Sequence, residues 1–420
     1  MKLTLEPHLF EPLTLSVDDL LPVRMRFVIG YNYQVDISQL QAAIRDTLKV
    51  FPHLTGKLDL NLNKFSARVV PCEREIPLSM SSSISWSLHQ LNRYPKKKLD
   101  KLFLPLNQAM SLLEALNLPF IEFKVSYNKS EMVIGLVISH MVLDGSGVGL
   151  FMTTLSSMLN PTASNSVKIN SELIHDRRIC YPLSPSHFSR EKLPCNYRVV
   201  DDLINVYSQY LESSDDKSEE AQVGVFSFSI HQIAKTRSFE SLSDLRLFLL
   251  SEISEIIRNV DPSIDTLSIW CSTRGITHVP RLYTGNTGCY VDYSFQAGGA
   301  YKQLKSLVSK KGIRQIRETY HEIKSAEMHG KIVAWDNAHG NKLSINIVPR
   351  LAAVADLGEG DPLFAEILTR NVNGIRMFHS QDGRQIIVEL SLAAAIISAV
   401  EGGLANKMIE YDKWHQGNYV

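Results

Sequence analysis

MVIGLVISHMVLDG, residues 132–145, is an apolar run that ends in a histidine and, four residues later, an Asp-Gly pair. The near-continuous apolar run Met132–Ser139 predicts a strand that is buried on both faces. Such a strand would hold the imidazole of His140 at its end, while Asp144-Gly145 would let the chain double back tightly. A histidine gains and loses a proton near neutral pH, so the pattern predicts a general base. By itself, a motif this short is equally compatible with a structural histidine beside a surface turn.

Predicted strands and helices alternate around this stretch, which indicates an α/β protein. Apolar and aromatic residues favour strands over Met25–Tyr33 and Pro119–Tyr127. A helix is predicted from about Ser38, whose side chain suits an N-cap, to Phe51, which precedes a proline. Another helix is predicted from about Val148, where apolar residues recur at helical spacing.

The second half of the chain repeats this mixture after a segment of different composition. Residues 161–222 collect prolines, serines and the charged run SSDDKSEEAQ, which is typical of a long crossover with some helix in it. Beyond it we predict two helices and three strands, over Ser243–Val260, Gln303–Lys324, Thr266–Cys271, Leu343–Val348 and Ile386–Leu390. A chain of 420 residues exceeds the size at which one core stops growing, so we predict domains at 1–160 and 223–420.

Composition and charge argue against several functional classes. Lys plus Arg and Asp plus Glu both number 44, so the chain has no general attraction to nucleic acid or to an anionic membrane. No stretch approaches the roughly 20 apolar residues of a membrane span, and the N-terminus lacks the apolar core of a secretory signal. The five cysteines are widely spaced and no histidines pair at metal-ligand spacing. We therefore expect reduced thiols, no metal site and a cytoplasmic location.

Five segments, in order along the chain, resemble motifs of the BAHD branch of the CoA-dependent acyltransferase superfamily. The HxxxDG signature of that superfamily matches His140, Asp144 and Gly145. The other four segments are Leu15–Asp19 (LSVDD), Leu40–Leu58 (LQAAIRDTLKVFPHLTGKL), Trp270–Gly288 (WCSTRGITHVPRLYTGNTG) and Asp356–Pro362 (DLGEGDP). Each segment is weak alone, but the ordered set spans nearly the whole chain and makes it similar to BAHD acyltransferases.

This resemblance implies a fold and a reaction. The fold would be two similar-sized α/β domains with mixed sheets flanked by helices, joined by the long crossover, with a solvent channel between them. Acyl-CoA would be the co-substrate, and His140 would take the proton of a hydroxyl or amine as it attacks the thioester carbonyl in a ternary complex. Asp144 would be structural and would pair with an arginine of the second domain, for which Arg274 is the candidate. Gly145 would support the turn.

The remaining motifs are implied to shape the surroundings of the channel. Asp356, Gly358 and Gly360 would form a structural loop near it, and Asn286 would lie in a turn close to it. Glu359 departs from the family, which has a tryptophan at this position on the oxyanion side of the site. A carboxylate stabilises developing negative charge poorly, so the class of acceptor stays open.

Basic residues concentrate in Lys302–Lys324. Some of them are candidates to meet the phosphates of CoA, namely Lys305, Lys310, Lys311 and Arg314. A solvated helix face is the ordinary explanation of such a charge run.

Two alternatives to a CoA-dependent enzyme remain open. A carrier-protein-dependent condensation or ester-forming relative usually has a second histidine before the catalytic one, where this chain has Ser139. A non-catalytic binding protein on the same scaffold is the other alternative, and Glu359 is the residue that favours it. Because His140 and Asp144 are both present, we expect an acyltransferase that acts on a small alcohol or amine. Nothing in the sequence indicates an oligomer, so we expect a monomer, and the resemblance implies a role in secondary metabolism.

Overall fold

The structure, a computed structural model, arranges the chain in two lobes. It describes residues 2–4, 10–16, 19, 24–61, 66–73, 75–82, 100–103, 118–160, 173–182, 188–200, 221–294, 299–335, 342–347, 356–357, 362, 364–367, 374–380, 383–407 and 409–414.

The first lobe is a six-stranded sheet covered on one face by two helices. Its elements are β1 Lys2–Thr4, β2 Leu13–Thr14, β3 Arg24–Tyr31, α1 Ile37–Val50, β4 Lys57–Asn61, β5 Ser66–Val70, β6 Glu75–Ser81, β7 Ile121–Tyr127, β8 Met132–Ser139 and α2 Gly145–Leu159. The order of the large sheet is β1-β6-β7-β8-β3, followed at its edge by a strand from late in the chain, while β2, β5 and β4 form a small sheet. Strand β8 is buried at all of its positions, because it lies in the interior of the sheet between β7 and β3.

The core of this lobe lies between the sheet and its two helices. Phe27 and Ile134 of the sheet share one buried apolar cluster with Ile44 of α1 and Phe151 of α2. Each large apolar side chain buried in this way contributes roughly 2 kcal/mol. The packing fixes the end of β8, and with it the position of the turn that follows.

The second lobe is a seven-stranded sheet with its own core. The crossover first contributes β9 Tyr197–Val200. The lobe then contains β10 Ala221–Ser229, α3 Ile230–Thr236, α4 Leu242–Val260, β11 Thr266–Ser272, β12 Gly288–Ser294, α5 Ala300–Leu307, α6 Lys310–Met328, β13 Ile332–Trp335, β14 Lys342–Ile347, β16 Gly374–His379, β17 Gln385–Ala393, α7 Ala394–Asn406 and β18 Asp412–Trp414. Between β14 and β16 the chain forms β15 Phe364–Ile367, which is the edge strand of the first lobe's sheet. The sheet order is β12-β11-β14-β16-β17-β10-β18, and β9 pairs with β13. Both large sheets mix parallel and antiparallel pairs, as predicted.

Two predicted helices have different bounds in the structure. The helix predicted from about Val148 begins at Gly145, because the Asp144 carboxylate caps it by accepting a bond from Gly147 N at 2.8 Å. The helix predicted over Gln303–Lys324 is two helices, α5 and α6. The Ser309 hydroxyl caps the second of them by accepting from Gly312 N at 3.2 Å.

One late segment of the chain pairs across the predicted division at residue 223. Strand β15 pairs antiparallel with β3, so it belongs to the sheet of the first lobe. Leu357 is buried in the core of the first lobe, and its backbone N–H donates to the Tyr33 hydroxyl at 3.2 Å. The chain therefore returns to the first lobe after building part of the second. The helix predicted within residues 201–212 lies outside the described residues.

No helix in the described part of the chain combines the length and the apolar character needed to cross a membrane.

Candidate active site

His140 lies in the turn that directly follows β8. The residue is half-buried, so its ring is in reach of solvent. Its Nδ1 atom is buried and has no hydrogen-bond partner among the described residues. The imidazole is thus not oriented by a carboxylate from the described part of the chain, unlike the histidine of a Ser-His-Asp triad.

Asp144 pairs with Arg274, the candidate partner named in the sequence analysis. The two carboxylate oxygens accept two guanidinium bonds, of 2.5 Å from Nη1 and 2.7 Å from Nη2. Side-chain exposure is 10% for Asp144 and 6% for Arg274, so the pair is shielded from water. Arg274 also donates from Nε to the Tyr283 carbonyl at 2.8 Å and from Nη2 to the Gly285 carbonyl. A buried, bidentate ion pair therefore joins the first turn of α2 to the segment Tyr283–Asn286 of the second lobe.

The two lobes approach closely beside this ion pair. A Cβ atom built on Gly147, in the first turn of α2, would overlap the backbone oxygen of Thr284. Glycine is therefore required at position 147 by the closeness of the two backbones.

Asn286 makes a direct contact with the histidine turn. Its Nδ2 donates to the His140 carbonyl at 2.5 Å, and its backbone N–H donates to Asp19 Oδ1 at 3.3 Å. The side chain is 2% exposed, and its Oδ1 has no partner among the described residues. The sequence placed Asn286 in a turn close to the channel, and the structure adds that its amide holds the backbone of His140.

A second buried ion pair under the same turn was not foreseen. Asp19 Oδ2 lies 3.3 Å from Arg177 Nε and also accepts from Ser16, at 2.8 Å from the backbone N–H and 3.0 Å from the hydroxyl. Both members of the pair are at most 2% exposed. Asp19 belongs to the LSVDD segment, whereas Arg177 lies in the crossover, where the only signal was the charged run Asp176-Arg177-Arg178.

Arg177 extends this ion pair to the histidine turn. It donates from Nη2 to the Val142 carbonyl at 2.7 Å and from Nη1 to the His175 carbonyl at 3.3 Å. Burial by itself lowers the pKa of this guanidinium, but the Asp19 carboxylate together with Tyr283 and Cys180 outweighs burial, and the pKa is raised. The arginine is therefore a permanent buried cation, held in place by a carboxylate and two carbonyl groups.

Two further histidines, the buried His53 and the half-buried His175, lie together where the crossover meets both lobes. The rings of His53 and His175 lie 4.7 Å apart between centroids. His175 binds the Val50 carbonyl through Nε2 and the Thr284 hydroxyl through Nδ1, both at 2.8 Å. Burial lowers the pKa of His175 to about 4 and lowers that of His53 as well. His53 is a buried residue of the 3₁₀ turn Pro52–Thr55.

The basic residues proposed for CoA phosphates lie on α5 and α6. Lys305 pairs with Glu240 at 3.3 Å and with Asp244 at 3.4 Å, so its ammonium group already meets two carboxylates. Arg314 pairs with Glu318 at 2.7 Å on an exposed helix face. Lys310 and Lys311 are exposed at the start of α6.

The DLGEG segment is described only at its start. Asp356 is half-buried, and Leu357 packs into the core of the first lobe. Gly358, Glu359 and Gly360 lie outside the described residues.

This arrangement suits the removal of a proton from a neutral nucleophile. A half-exposed imidazole stands on a turn whose backbone is held from several elements, and the carboxylate nearest in sequence is occupied by Arg274. Such a ring can accept a proton from a hydroxyl or an amine and return it later in the reaction.

Comparison with known proteins gives a family and a fold for the chain. The model of the transferase family matches residues 30–402 of the chain. No curated protein sequence matches it.

Several solved structures have the same fold at low sequence identity. TRI101 of F. sporotrichioides, solved with coenzyme A and T-2, is 13% identical and has a TM-score of 0.72, covering 97% of this chain and 100% of that one. Vinorine synthase is 14% identical with a TM-score of 0.63, covering 99% of this chain and 98% of that one. The first condensation domain of the calcium-dependent antibiotic synthetase is 10% identical with a TM-score of 0.56, covering 96% of this chain and 97% of that one.

Proposed function

The chain belongs to the transferase family and is a BAHD-like acyltransferase, and from that premise we propose that His140 is the general base for acyl transfer from acyl-CoA to a small alcohol or amine. In this reaction the His140 ring takes the proton of the acceptor as the acceptor oxygen or nitrogen attacks the thioester carbonyl. The tetrahedral intermediate then expels the CoA thiolate, which receives the proton from the same imidazole. Transfer is direct, so no acyl-enzyme forms.

The observation that carries this proposal is the placement of His140. The ring stands at the end of a wholly buried strand, is half-exposed, and has a buried Nδ1 that is unpartnered in the described residues. A rigid strand end fixes a catalytic side chain more closely than a loop does. A thioester is already activated, so a positioned base and a donor to the oxyanion are the main requirements.

Two features support CoA as the donor and a small organic molecule as the acceptor. TRI101 of F. sporotrichioides, which shares the fold over its whole length, was solved with coenzyme A and T-2. The exposed lysines Lys310 and Lys311 at the start of α6 remain candidates for the CoA phosphates. Lys305 and Arg314 are weaker candidates, because each already meets a carboxylate.

Asp144 and Arg274 act as structural residues in this proposal. Both oxygens of the carboxylate are occupied by the guanidinium, and one of them also caps α2. Asp144 therefore neither orients nor protonates His140. Its role is to tie the histidine turn to the second lobe.

The proposal is tested by the release of free thiol from a panel of acyl-CoAs, each supplied with pooled alcohols and amines. Wild-type protein is compared with His140→Ala and with His231→Ala, which removes an exposed histidine of α3. We expect release by the wild type and by His231→Ala but not by His140→Ala. Equal release by His140→Ala would remove the base from the mechanism.

The same assay separates the competing functions. If no acyl-CoA is used, the panel is repeated with acyl groups on a phosphopantetheinylated carrier protein. Transfer from the carrier alone would favour the condensation-type alternative. No transfer from either donor would favour a binding protein.

A further inference from the structure

We propose that Arg177, a residue of the crossover, positions the general base by holding the backbone of the His140 turn. The inference rests on the proposed role of His140 and concerns how that ring is kept in place. Arg177 does not touch the reacting atoms in this account, and it acts only through the main chain of residues 140–143.

Within the described residues, no side chain orients the His140 ring by a hydrogen bond to Nδ1. Nδ1 of His140 is buried without a partner among the described residues, and Asp144 is occupied by Arg274. The direction in which the ring points is therefore set by its own backbone and packing. Whatever fixes that backbone also fixes the base.

Two carbonyl groups of the turn accept hydrogen bonds from residues outside the turn. Asn286 Nδ2 donates to the His140 carbonyl at 2.5 Å, and Arg177 Nη2 donates to the Val142 carbonyl at 2.7 Å. Hydrogen bonds from a guanidinium are stronger than those between neutral groups. Two donors, from the second lobe and from the crossover, thus restrain two nearby carbonyls of one turn.

Asp19 contacts both of these donors, Arg177 and Asn286, and so links them in one network. Its Oδ2 faces Arg177 Nε at 3.3 Å, and its Oδ1 accepts from the backbone N–H of Asn286 at 3.3 Å. The carboxylate is fully buried, and Ser16 completes its hydrogen bonds. Displacement of Arg177 would therefore disturb the His140 carbonyl through Asn286 as well as the Val142 carbonyl directly.

The guanidinium of Arg177 fits its site closely. A Cβ atom built on Gly285 would overlap Arg177 Nη1, and the Tyr283 ring lies 5.3 Å from the guanidinium carbon. Lysine cannot replace this group, because one ammonium cannot face Asp19 and reach the carbonyls of Val142 and His175 at the same time.

If Arg177 served only to pair with Asp19, removing both residues together would leave catalysis unchanged. In Arg177→Met combined with Asp19→Asn, no buried charge is left unpaired, and the single oxygen of the new amide still accepts from one side, either Asn286 or Ser16. This double variant should fold nearly as well as the wild type, yet it lacks the donor to Val142. Arg178→Met is the matched control, because Arg178 is the next residue and its side chain is 85% exposed.

The test measures kcat, KM and the modification of His140 in the folded double variant. We expect kcat to fall by about 100-fold, as for a displacement near 1 Å, while KM for the acyl-CoA stays within about 2-fold of wild type. We also expect the pH dependence of His140 modification by diethyl pyrocarbonate, followed by mass spectrometry, to change in the double variant and not in Arg178→Met.

The two measurements distinguish a failure of the positioning role from a failure of the proposed acyltransferase function. The modification experiment needs no substrate, so it reports on the ring even if no acyl donor is found. A folded double variant with wild-type kcat, or with an unchanged modification profile of His140, would overturn the positioning role and leave the base itself intact. Loss of activity together with a shifted profile supports it.

Discussion

At the scale of single residues, His140 and Asp144 divide two tasks that one motif brings together. The imidazole is half-exposed and keeps Nδ1 free of partners in the described residues, so it can exchange a proton. The carboxylate is occupied by Arg274 and by the first turn of α2, so it holds the structure. The division explains why two titratable residues four positions apart do not act as an acid–base pair.

Replacement of His140 by Ala should remove turnover without unfolding the protein. General-base catalysis typically contributes about 10²- to 10⁴-fold to a rate, so kcat should fall by at least the lower of these values. The side chain is half-exposed, so we expect a change in Tm of no more than about 2 °C. The variant and His231→Ala are compared by steady-state kinetics and by calorimetry. A large drop in Tm would mean that the lost activity reflects unfolding.

Replacement of Asp144 by Ala should damage folding as well as activity. The variant leaves the Arg274 guanidinium buried without its carboxylate, which costs about 3–5 kcal/mol, and it removes an N-cap, which costs about 1 kcal/mol. Urea unfolding measures the free energy of unfolding directly. The double variant Asp144→Asn with Arg274→Met should recover part of the loss, since no charge is then stranded. A single variant as stable as the wild type would contradict the ion pair.

At the scale of elements, the start of α2 is the tightest contact between the lobes. Gly147 lets the first turn of the helix approach the backbone of Thr284, and the capping carboxylate of Asp144 pairs with the second lobe at the same place. The helix that follows the catalytic turn is therefore also a fixed point of the interface.

Replacement of Gly147 by Ala should destabilise the protein although alanine favours helices. The added Cβ overlaps the Thr284 oxygen, so the lobes must separate slightly, at a cost of about 1–3 kcal/mol. Gly402→Ala, in α7, is the control, because a Cβ there meets nothing within 4 Å. We expect that control to stabilise the protein by up to about 1 kcal/mol. A Tm that is lowered in Gly147→Ala and raised in Gly402→Ala, relative to wild type, would support the close approach of the two backbones. Equal changes in Tm would refute it.

Local patterns predicted some elements well and missed the limits of others. Strand β8 has the predicted bounds. A continuous apolar run is stable only as a strand in the interior of a sheet, where both faces are covered by other parts of the protein. The break between α5 and α6 was missed, because the helical spacing of apolar residues continues across Ser309. Only the hydrogen bond from Gly312 to the Ser309 hydroxyl marks the second start, and serine is common inside helices too.

At the scale of the whole molecule, the crossover joins the lobes through His175. The Val50 carbonyl only accepts, so Nε2 of His175 carries the proton and Nδ1 accepts from the Thr284 hydroxyl. His53 packs against this ring, and the positive charge of Arg177 acts on both histidines, lowering the pKa of each in addition to burial. A second proton on His175 would place a cation beside that guanidinium.

The stability of the protein should therefore fall in mild acid. Burial lowers the pKa of His175 from 6.5 to about 4, so the unfolded chain binds more protons between these values. The free energy of unfolding then decreases as pH falls from 6.5 to 4, by roughly 3 kcal/mol at 1.36 kcal/mol per pKa unit, and this contribution is constant below pH 4. Urea unfolding of wild type and His175→Gln across this range measures the slope. We expect a smaller slope in the variant, while an exposed His231→Gln keeps that of wild type; equal slopes in all three would reject the prediction.

The sequence predicted the motif residues of the site but not the buried network of Asp19 and Arg177 that contacts them. His140, Asp144 and Arg274 could be named because each lies in a segment that resembles a known pattern. The contacts of Arg177 could not be named, because they join the crossover to Asp19 and Val142, which are distant in the chain. Local periodicity carries no information about such pairs, and charged residues in a Pro- and Ser-rich segment are ordinarily solvated.

Strand β15 has a consequence for the synthesis of the protein. In the sheet order β1-β6-β7-β8-β3-β15, strand β3 is left at the edge until residues 364–367 have emerged from the ribosome. During most of translation the nascent first lobe therefore presents the unpaired backbone of β3, the kind of edge that recruits other chains. A premature stop codon near residue 350 would remove this strand along with Leu357, and so would harm the first lobe, whose other strands lie before residue 140, as well as the second lobe.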